Sequence, residues 1–361
     1  VDDHTENGIG MIAATKKPEE SKIYLEWHTS AEFGEIIEDG NDLSEITAVT
    51  LELAIGILKT AIENNGICIV RLGTWKVITN ANGSQISDMD GHTTVDAVGG
   101  LWCVNLGYSN EAIKNAISEQ LNHLPYYSGF AGTTNPAAIE ASYMVKEMFK
   151  ADGMEKVFFT SGGSDSVETC LRLSRQYHRL RGEPTRTKFI SLKKGYHGTH
   201  FGGASVNGNN RFRIAYEPLL PGCFHLPSPY TYRNPFNETD PQKLALNIAQ
   251  AFEDEIAFQD KNTIAAFIME PIQGAGGVIV PDPSFMGLMQ DICERNGILM
   301  ISDEVITGFG RTGSWSGARH WNVKPDMMSM AKGITSGYFP VGAALMGEKV
   351  ADVFELSLIH I

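Results

Sequence analysis

The pattern of apolar and polar positions changes near residue 73 of the chain. Before that point, only residues 51–62 (LELAIGILKTAI) are apolar enough to predict a buried helix. Beyond it the sequence predicts a β-hairpin, with strands at residues 75–79 and 85–91 joined by a turn at residues 80–83 (NANG). We therefore expect the first seventy residues to be a segment apart from the rest.

After the hairpin, helices alternate with short apolar strands. Helices are predicted at residues 110–121 and 136–149, and another begins near Asp165. The predicted strands cover residues 157–160, 188–192, 263–269, 298–302 and 327–330. Short, continuous apolar strands that alternate with helices are typical of a mostly parallel sheet with helices on both faces. We therefore expect an α/β fold.

Two reactive residues follow strands of this predicted sheet. Lys332 comes directly after the strand at residues 327–330, and Asp303 comes directly after the strand at residues 298–302. Ligands of such sheets bind outside the carboxyl ends of the strands. A lysine there can form a Schiff base with pyridoxal phosphate, and an aspartate can keep its pyridine nitrogen protonated. Taken one at a time, an exposed lysine and a capping aspartate are the simpler interpretations.

A third motif, TSGGS at residues 160–164, lies between a predicted strand and a helix. Glycines let the backbone approach an anion, Ser161 and Ser164 can donate hydroxyl hydrogen bonds, and the helix directs its free amides to the same place. The motif fits a phosphate site, and a loop with an ordinary helix cap explains it equally well. Nucleotide binding is the weaker choice, because the P-loop and dinucleotide patterns are missing from it.

Composition narrows the class of protein. The chain has 361 residues, 42% of them hydrophobic, which allows one large and one smaller domain. The net charge of -14, with no basic block, argues against a nucleic acid or an acidic membrane as partner. The scattered cysteines have no metal-ligand spacing, so we expect free thiols, no metal and a cytoplasmic location. The cysteines are Cys68, Cys103, Cys170, Cys223 and Cys293.

Both ends of the sequence are unusual. The first residue is Val1, and residues 356–361 (LSLIHI) match a translated transposon-based sequencing adaptor. We expect residues 356–361 to be a non-native tail and the natural sequence to continue past residue 355.

Six segments together resemble class III (ω-type) aminotransferases, which are pyridoxal phosphate enzymes of fold type I. They are DAVGGLWCVNLGY (96–108), TSGGSDSVET (160–169), GYHG (195–198), EPIQGAGG (270–277), SDEVITGFGRTG (302–313) and AKG (331–333). The resemblance runs from about residue 73 to residue 355. It implies a cofactor-binding large domain at residues 110–355, with residues 71–109 forming the substrate-pocket segment and part of an incomplete small domain. Residues 1–70 match the family poorly.

The resemblance also implies how the cofactor is held. Lys332 would form the Schiff base and move the proton, and Asp303 would hold the pyridinium proton. Val305 would pack on one face of the ring and Tyr196 on the other, with His197 beside it. Without the resemblance, Tyr196 would be interpreted as a core aromatic residue.

The remaining implied contacts involve the phosphate and a second carboxylate. Gly162, Gly163 and Ser164 would bind the phosphate, with Gly162 standing where the family usually has a serine. Glu270 would be a supporting carboxylate near the cofactor, unless it only caps a loop.

The substrate pocket is the third part of the implied site. Trp102 would line it, unless it is simply buried. Tyr127 and Phe130 are weaker candidates, in a loop that the family contributes across a homodimer interface.

The implied activity is ping-pong transfer of an amino group from an amine or ω-amino acid to a keto acid such as pyruvate. Another enzyme on the same scaffold remains an alternative, such as an aminomutase, racemase, decarboxylase or phospholyase, because Lys332 and Asp303 serve all of them. An inactive fragment or a binding protein is the non-enzyme alternative. Family members continue past the lysine into a threonine that reaches the partner's phosphate and an arginine that binds the substrate carboxylate.

Overall fold

The computed structural model describes residues 77–129 and 132–355 and divides into two units. A three-stranded antiparallel sheet makes up most of the described part of the first unit. Its strands are β1 (Ile78–Asn82), β2 (Gln85–Asp88) and β3 (Thr93–Val95), paired in that order. The predicted hairpin is present, but its turn is wrong. The first strand continues to Asn82, so residues 80–82 are extended and the chain reverses after them. The helix predicted at residues 51–62 lies outside the described residues.

The second strand of the hairpin also ends earlier than its sequence suggests. The carboxylate of Asp88 accepts hydrogen bonds from the backbone N–H groups of Asp90 (3.1 Å) and His92 (2.9 Å). Such a side chain competes with the strand for backbone donors and closes a turn. The strand therefore stops at Asp88 instead of residue 91.

A seven-stranded sheet is the centre of the second unit, which holds residues 82–84 and the chain from residue 96. Its strands are β4 (Met154–Thr160), β5 (Lys188–Leu192), β6 (Cys223–Leu226), β7 (Ile264–Met269), β8 (Leu299–Asp303), β9 (Met327–Met330) and β10 (Gly342–Gly347). The order across the sheet is β4-β10-β9-β8-β7-β5-β6. Only β10 runs antiparallel to its neighbours, β4 and β9.

Helices precede, connect and follow these strands. They are α1 (Gly99–Trp102, a single left-handed turn), α2 (Glu111–His123), α3 (Pro136–Phe149), α4 (Gly163–Leu180), α5 (Phe201–Val206), α6 (Pro241–Gln259), α7 (Phe285–Asn296), α8 (Gly317–His320) and α9 (Glu348–Glu355). Asn110, Asn135 and Asp240 cap α2, α3 and α6, each accepting a backbone N–H with its side chain. None of the helices in the described ranges is long and apolar enough to span a bilayer.

Two apolar layers, one on each face of the sheet, form the core. One layer contains Phe149, Phe252 and Phe285 from α3, α6 and α7, and the other contains residues of α4 and α9. From Ala266 onward, successive residues of β7 enter alternate layers, Phe267 and Met269 the first, Ala266 and Ile268 the second. Because β7 is buried throughout, its sequence is continuously apolar. The predicted parallel, helix-covered sheet is therefore confirmed.

Candidate active site

The carboxyl ends of β4, β8 and β9 meet at a cavity of about 170 Å³. Eight of the nine residues assigned to cofactor binding from the sequence line it; Gly162 does not. They are Gly163, Ser164, Tyr196, His197, Glu270, Asp303, Val305 and Lys332. Residues that lie up to 169 positions apart in sequence are thus brought to one place, as the rule for ligand sites in parallel sheets predicts.

Lys332 is the cationic residue of the cavity. It follows β9 after one alanine, begins a short 3-10 helix at Lys332–Ile334, and has a left-handed φ of 46°. Burial lowers the pKa of Lys332, while the charges of Asp303 and Glu270 act in the opposite direction. The fraction of molecules in which the amine is neutral and nucleophilic is therefore larger for Lys332 than for a surface lysine near neutral pH.

Asp303 ends β8 and is 3% exposed. One carboxylate oxygen accepts hydrogen bonds from the Ser329 hydroxyl (2.9 Å) and the Val305 backbone N–H (3.2 Å). The other lies 2.7 Å from Nδ1 of His197. Ser329 reaches it because β9 pairs with β8 in a register that sets Ser329 opposite Asp303. Three donors therefore fix the direction of this buried carboxylate.

His197 is held by an asparagine that the sequence did not reveal. The Asn207 side chain accepts the His197 backbone N–H and donates to the Gly198 carbonyl oxygen (2.9 Å). Within the described ranges, Nε2 of His197 is buried and has no hydrogen-bond partner. Asn207 lies after α5, ten positions from His197, and no sequence spacing connects the two.

Glu270 is a second buried carboxylate, 5% exposed, directly after β7. It accepts the backbone N–H groups of Tyr196 (2.9 Å) and Gly274 (2.8 Å). Burial raises the pKa of Glu270 to about 7, although both hydrogen bonds oppose the shift. Glu270 therefore fixes the loop that carries Tyr196 and His197, and changes charge near neutral pH.

The loop between β4 and α4 forms the other wall. α4 begins at Gly163, two residues before the predicted start, and Gly163 and Ser164 of its first turn line the cavity. The first backbone N–H groups of a helix have no partner within the helix and can bind an anion. A Cβ at Gly163 would lie 3.0 Å from a methyl group of Val305. Gly162 has an extended backbone and open space around it, so a serine would fit there. No steric contact therefore explains why this chain has glycine instead of serine at position 162.

The three aromatic residues predicted to line the substrate pocket differ in how they lie relative to the cavity. The Trp102 ring centroid is 5.4 Å from Nζ of Lys332, so this side chain adjoins the cavity. Tyr127 is 56% exposed and does not line the cavity of this single chain. Phe130 lies outside the described residues. Sequence reasoning missed Asn105, which donates to the Phe309 carbonyl (3.0 Å) and accepts from Arg311 (2.9 Å), joining the Trp102 segment to the loop after Asp303.

A cavity built from a lysine, a buried aspartate and a helix N-terminus on a sheet of this order defines a class of protein: the pyridoxal phosphate enzymes of fold type I. The profile of the class-III aminotransferase family matches residues 72–358, and the chain belongs to that family.

Individual relatives agree with this assignment. The chain is 38% identical over 278 residues to putrescine–pyruvate aminotransferase of Pseudomonas aeruginosa, covering 77% of this chain and 60% of that protein. It is 37% identical to gamma-aminobutyrate transaminase 1, mitochondrial, of Oryza sativa subsp. indica, covering 54% of that protein. A PLP-bound amine transaminase from an uncultivated Pseudomonas species is 45% identical, with a TM-score of 0.78 over 80% of this chain and 66% of that chain. The chain spans about 60% of the length of the first two curated relatives it matches.

The described residues fit pyridoxal phosphate, the cofactor of this family. The N-terminus of α4 suits a phosphate dianion. Asp303 is buried with its orientation fixed, as a partner for a protonated ring nitrogen requires. Lys332 offers an amine whose pKa is lowered by burial. Glycine at position 163 also leaves the space in front of Val305 open.

Proposed function

We propose that the complete protein transfers an amino group from an amine or ω-amino acid to a keto acid such as pyruvate, in a ping-pong reaction. The observation that carries the proposal is the meeting of Lys332 and Asp303 at one cavity beside the N-terminus of α4. The names of the relatives support the substrate classes, since they include a putrescine–pyruvate aminotransferase and an amine transaminase.

The residues of this chain would divide the chemistry as follows. When bound, pyridoxal phosphate supplies an electron sink for the bond that breaks next to the amine nitrogen. Lys332 would attach the aldehyde of the cofactor, and its neutral amine would take and return the proton. Asp303 would keep the ring nitrogen protonated, because a fixed, buried carboxylate favours a cation beside it.

Binding and orientation would fall to the other residues of the cavity. Gly163, Ser164 and the first turn of α4 would hold the phosphate through backbone and hydroxyl donors. Val305 and Tyr196 would pack against the ring, and Glu270 would keep the Tyr196 loop in place through its bond to the Tyr196 N–H. Trp102 would form a wall of the substrate pocket.

The test uses the completed reading frame, an amine donor labelled with nitrogen-15 and pyruvate. We expect labelled alanine to form, and expect Lys332→Ala to abolish its formation while the fold is retained, because the lysine supplies chemistry and not packing. Lys261→Ala is the matched control, since Lys261 is exposed and also begins a three-residue 3-10 helix. It should leave the rate unchanged.

Three outcomes would contradict the proposal. If carbon is lost or rearranged and no label reaches alanine, the enzyme performs another reaction of this scaffold. If the complete protein binds the cofactor without any turnover, transamination is wrong. If Lys332→Ala retains a rate near that of the original protein, Lys332 is not the reactive lysine.

We also propose that the complete protein is a homodimer in the cytoplasm. Exposed aromatic and apolar side chains near Tyr127 and on α3 support the dimer; they are Tyr126, Ile139, Tyr143 and Met144. Free cysteines in the described ranges support a reducing compartment. Sedimentation equilibrium tests the first point, and a monomer at micromolar concentration would contradict it.

A further inference from the structure

The segment that presents Trp102 has an unusual backbone. Gly99, Gly100, Leu101 and Trp102 have φ values of 59°, 61°, 69° and 63°, so four consecutive residues form one left-handed turn. Glycine adopts this conformation freely, but leucine and tryptophan adopt it at a cost, because Cβ crowds the following carbonyl. The direction of the Trp102 side chain therefore depends on whatever holds the turn.

The carboxylate of Asp96 holds it. One oxygen accepts the backbone N–H groups of Val98 and Gly99, each at 3.1 Å. The other accepts the Gly100 N–H and the Tyr108 hydroxyl, each at 2.6 Å. Bonds to an ionised acceptor are about twice as strong as neutral ones. Their effect is also seen in the pKa of Asp96, which is lowered mainly by the Tyr108 hydroxyl bond and then by the backbone bonds.

Packing fixes the turn from the other side. A Cβ on Gly100 would lie 2.5 Å from a methyl group of Val104 and 3.0 Å from the Tyr108 hydroxyl oxygen, so the turn is pressed against both residues. Beyond the turn, the Leu106 N–H donates to the Ser336 hydroxyl (2.9 Å). The turn is thus held at both ends, and Trp102 lies between them with its ring near Lys332.

We propose that Asp96 is a positioning residue that sets the specificity of the amine site. Its carboxylate keeps residues 99–102 left-handed and thereby holds the indole of Trp102 beside Lys332. The part of this proposal that concerns amine specificity rests on the proposed function. The geometric part, that Asp96 fixes the place of Trp102, does not depend on turnover.

The first experiment compares variants of the completed protein on an aromatic and an aliphatic amine. Trp102→Ala should change the ratio of their kcat/KM values by about ten- to a hundredfold. Asp96→Asn, which keeps one acceptor oxygen but loses the other, should change the ratio in the same direction by about three- to tenfold. In the Trp102→Ala background, Asp96→Asn should change it by less than about twofold, because the side chain it positions is gone.

Controls separate positioning from general loss of stability. Asp240→Asn is a matched exchange, since Asp240 also accepts a backbone N–H, at the start of α6, and lies outside the cavity lining. It should leave the ratio unchanged. If Asp96→Asn fails to fold, Tyr108→Phe removes one of the four donors and should give a smaller change in the same direction.

A second experiment needs no turnover. Hydrogen exchange of the Gly99 and Gly100 amides in the chain without cofactor should be about tenfold faster or more in Asp96→Asn. Acrylamide quenching of tryptophan fluorescence should rise in Asp96→Asn, but not when Trp102 is replaced by phenylalanine. Failure of the proposed function would leave both of these changes in place.

Three results would overturn the inference. The first is an equal effect of Asp96→Asn on the ratio with and without Trp102. The second is unchanged amide exchange, and the third is unchanged quenching. If the complete protein transfers no amino group, the exchange and quenching measurements decide the positioning of Trp102 alone.

Discussion

Replacing Glu270 by glutamine should remove a pH dependence from folding. Glu270 is buried, and burial raises its pKa to about 7 from an ordinary value of 4.5. Between these values the folded chain binds a proton that the unfolded chain has released. The contribution of Glu270 to stability is therefore present in full below pH 4.5, decreases as pH rises, and is lost above about pH 7.

The size of the effect follows from the two pKa values. Each unit of difference corresponds to about 1.4 kcal/mol, so a rise from 4.5 to about 7 corresponds to about 3 kcal/mol. Glutamine does not titrate, but it offers only one acceptor oxygen to the two N–H groups, of Tyr196 and Gly274, that the carboxylate accepts. Leaving one of them unpaired costs about 1 to 3 kcal/mol at every pH. The slope with pH is thus a sharper test than the absolute stability.

Urea unfolding of the cofactor-free chain between pH 4.5 and 8 measures this slope. We expect the free energy of unfolding of Glu270→Gln, relative to the original chain, to rise by about 3 kcal/mol across that range. Glu294→Gln, an exposed exchange on α7, should show no such rise. A difference that stays constant with pH would refute the reasoning, because Glu270 would then be ionised throughout in the folded chain.

Two further predictions concern the cofactor contacts. Asp303→Asn keeps the shape of the side chain but not its charge, so the rate of transamination should fall by about a hundredfold or more with the cofactor still bound. Steady-state kinetics measures the rate, and an absorbance spectrum shows whether the cofactor is bound. An almost unchanged rate would mean that Asp303 has only a structural role. Gly163→Ala places a Cβ about 3 Å from the Val305 methyl groups. Its affinity for pyridoxal phosphate should fall by about tenfold. Val305→Ala relieves the contact but also removes a side chain that would pack on the ring, so it should restore only part of the loss. Equilibrium titration measures both changes, and no loss in Gly163→Ala would show that the loop shifts freely.

Strand ends were the part of the site that the sequence predicted well. β8 and β9 are short, continuous apolar runs, and their ends identify the positions of Asp303 and Lys332 without any knowledge of the fold. The predicted strand at residues 188–192 matches β5 as well. Local hydrophobicity is sufficient here because strands buried on both faces are nearly continuous apolar runs with few polar residues.

Other elements gave no such signal. β10 reads GAALMG, without a β-branched or aromatic residue, so its composition does not favour a strand. Its position is fixed by tertiary packing: a Cβ at Gly342 would lie 2.5 Å from the Gly162 carbonyl oxygen, which leaves room only for glycine. Asn207 and the left-handed turn at Trp102 were missed for a related reason. Both are held by hydrogen bonds that the spacing of residues in the sequence does not encode.

The place of β10 in the sheet has a consequence for how the protein is made. β4 lies at one edge of the sheet and pairs, in the described part of the chain, only with β10. A ribosome that has finished β4 must add about 190 residues before β10 is complete, which takes roughly 10 to 40 seconds. During that interval β4 has no strand partner in the sheet. β4 can therefore join the sheet only after β10 has emerged from the ribosome, and the nascent chain exposes an unpaired edge strand until then.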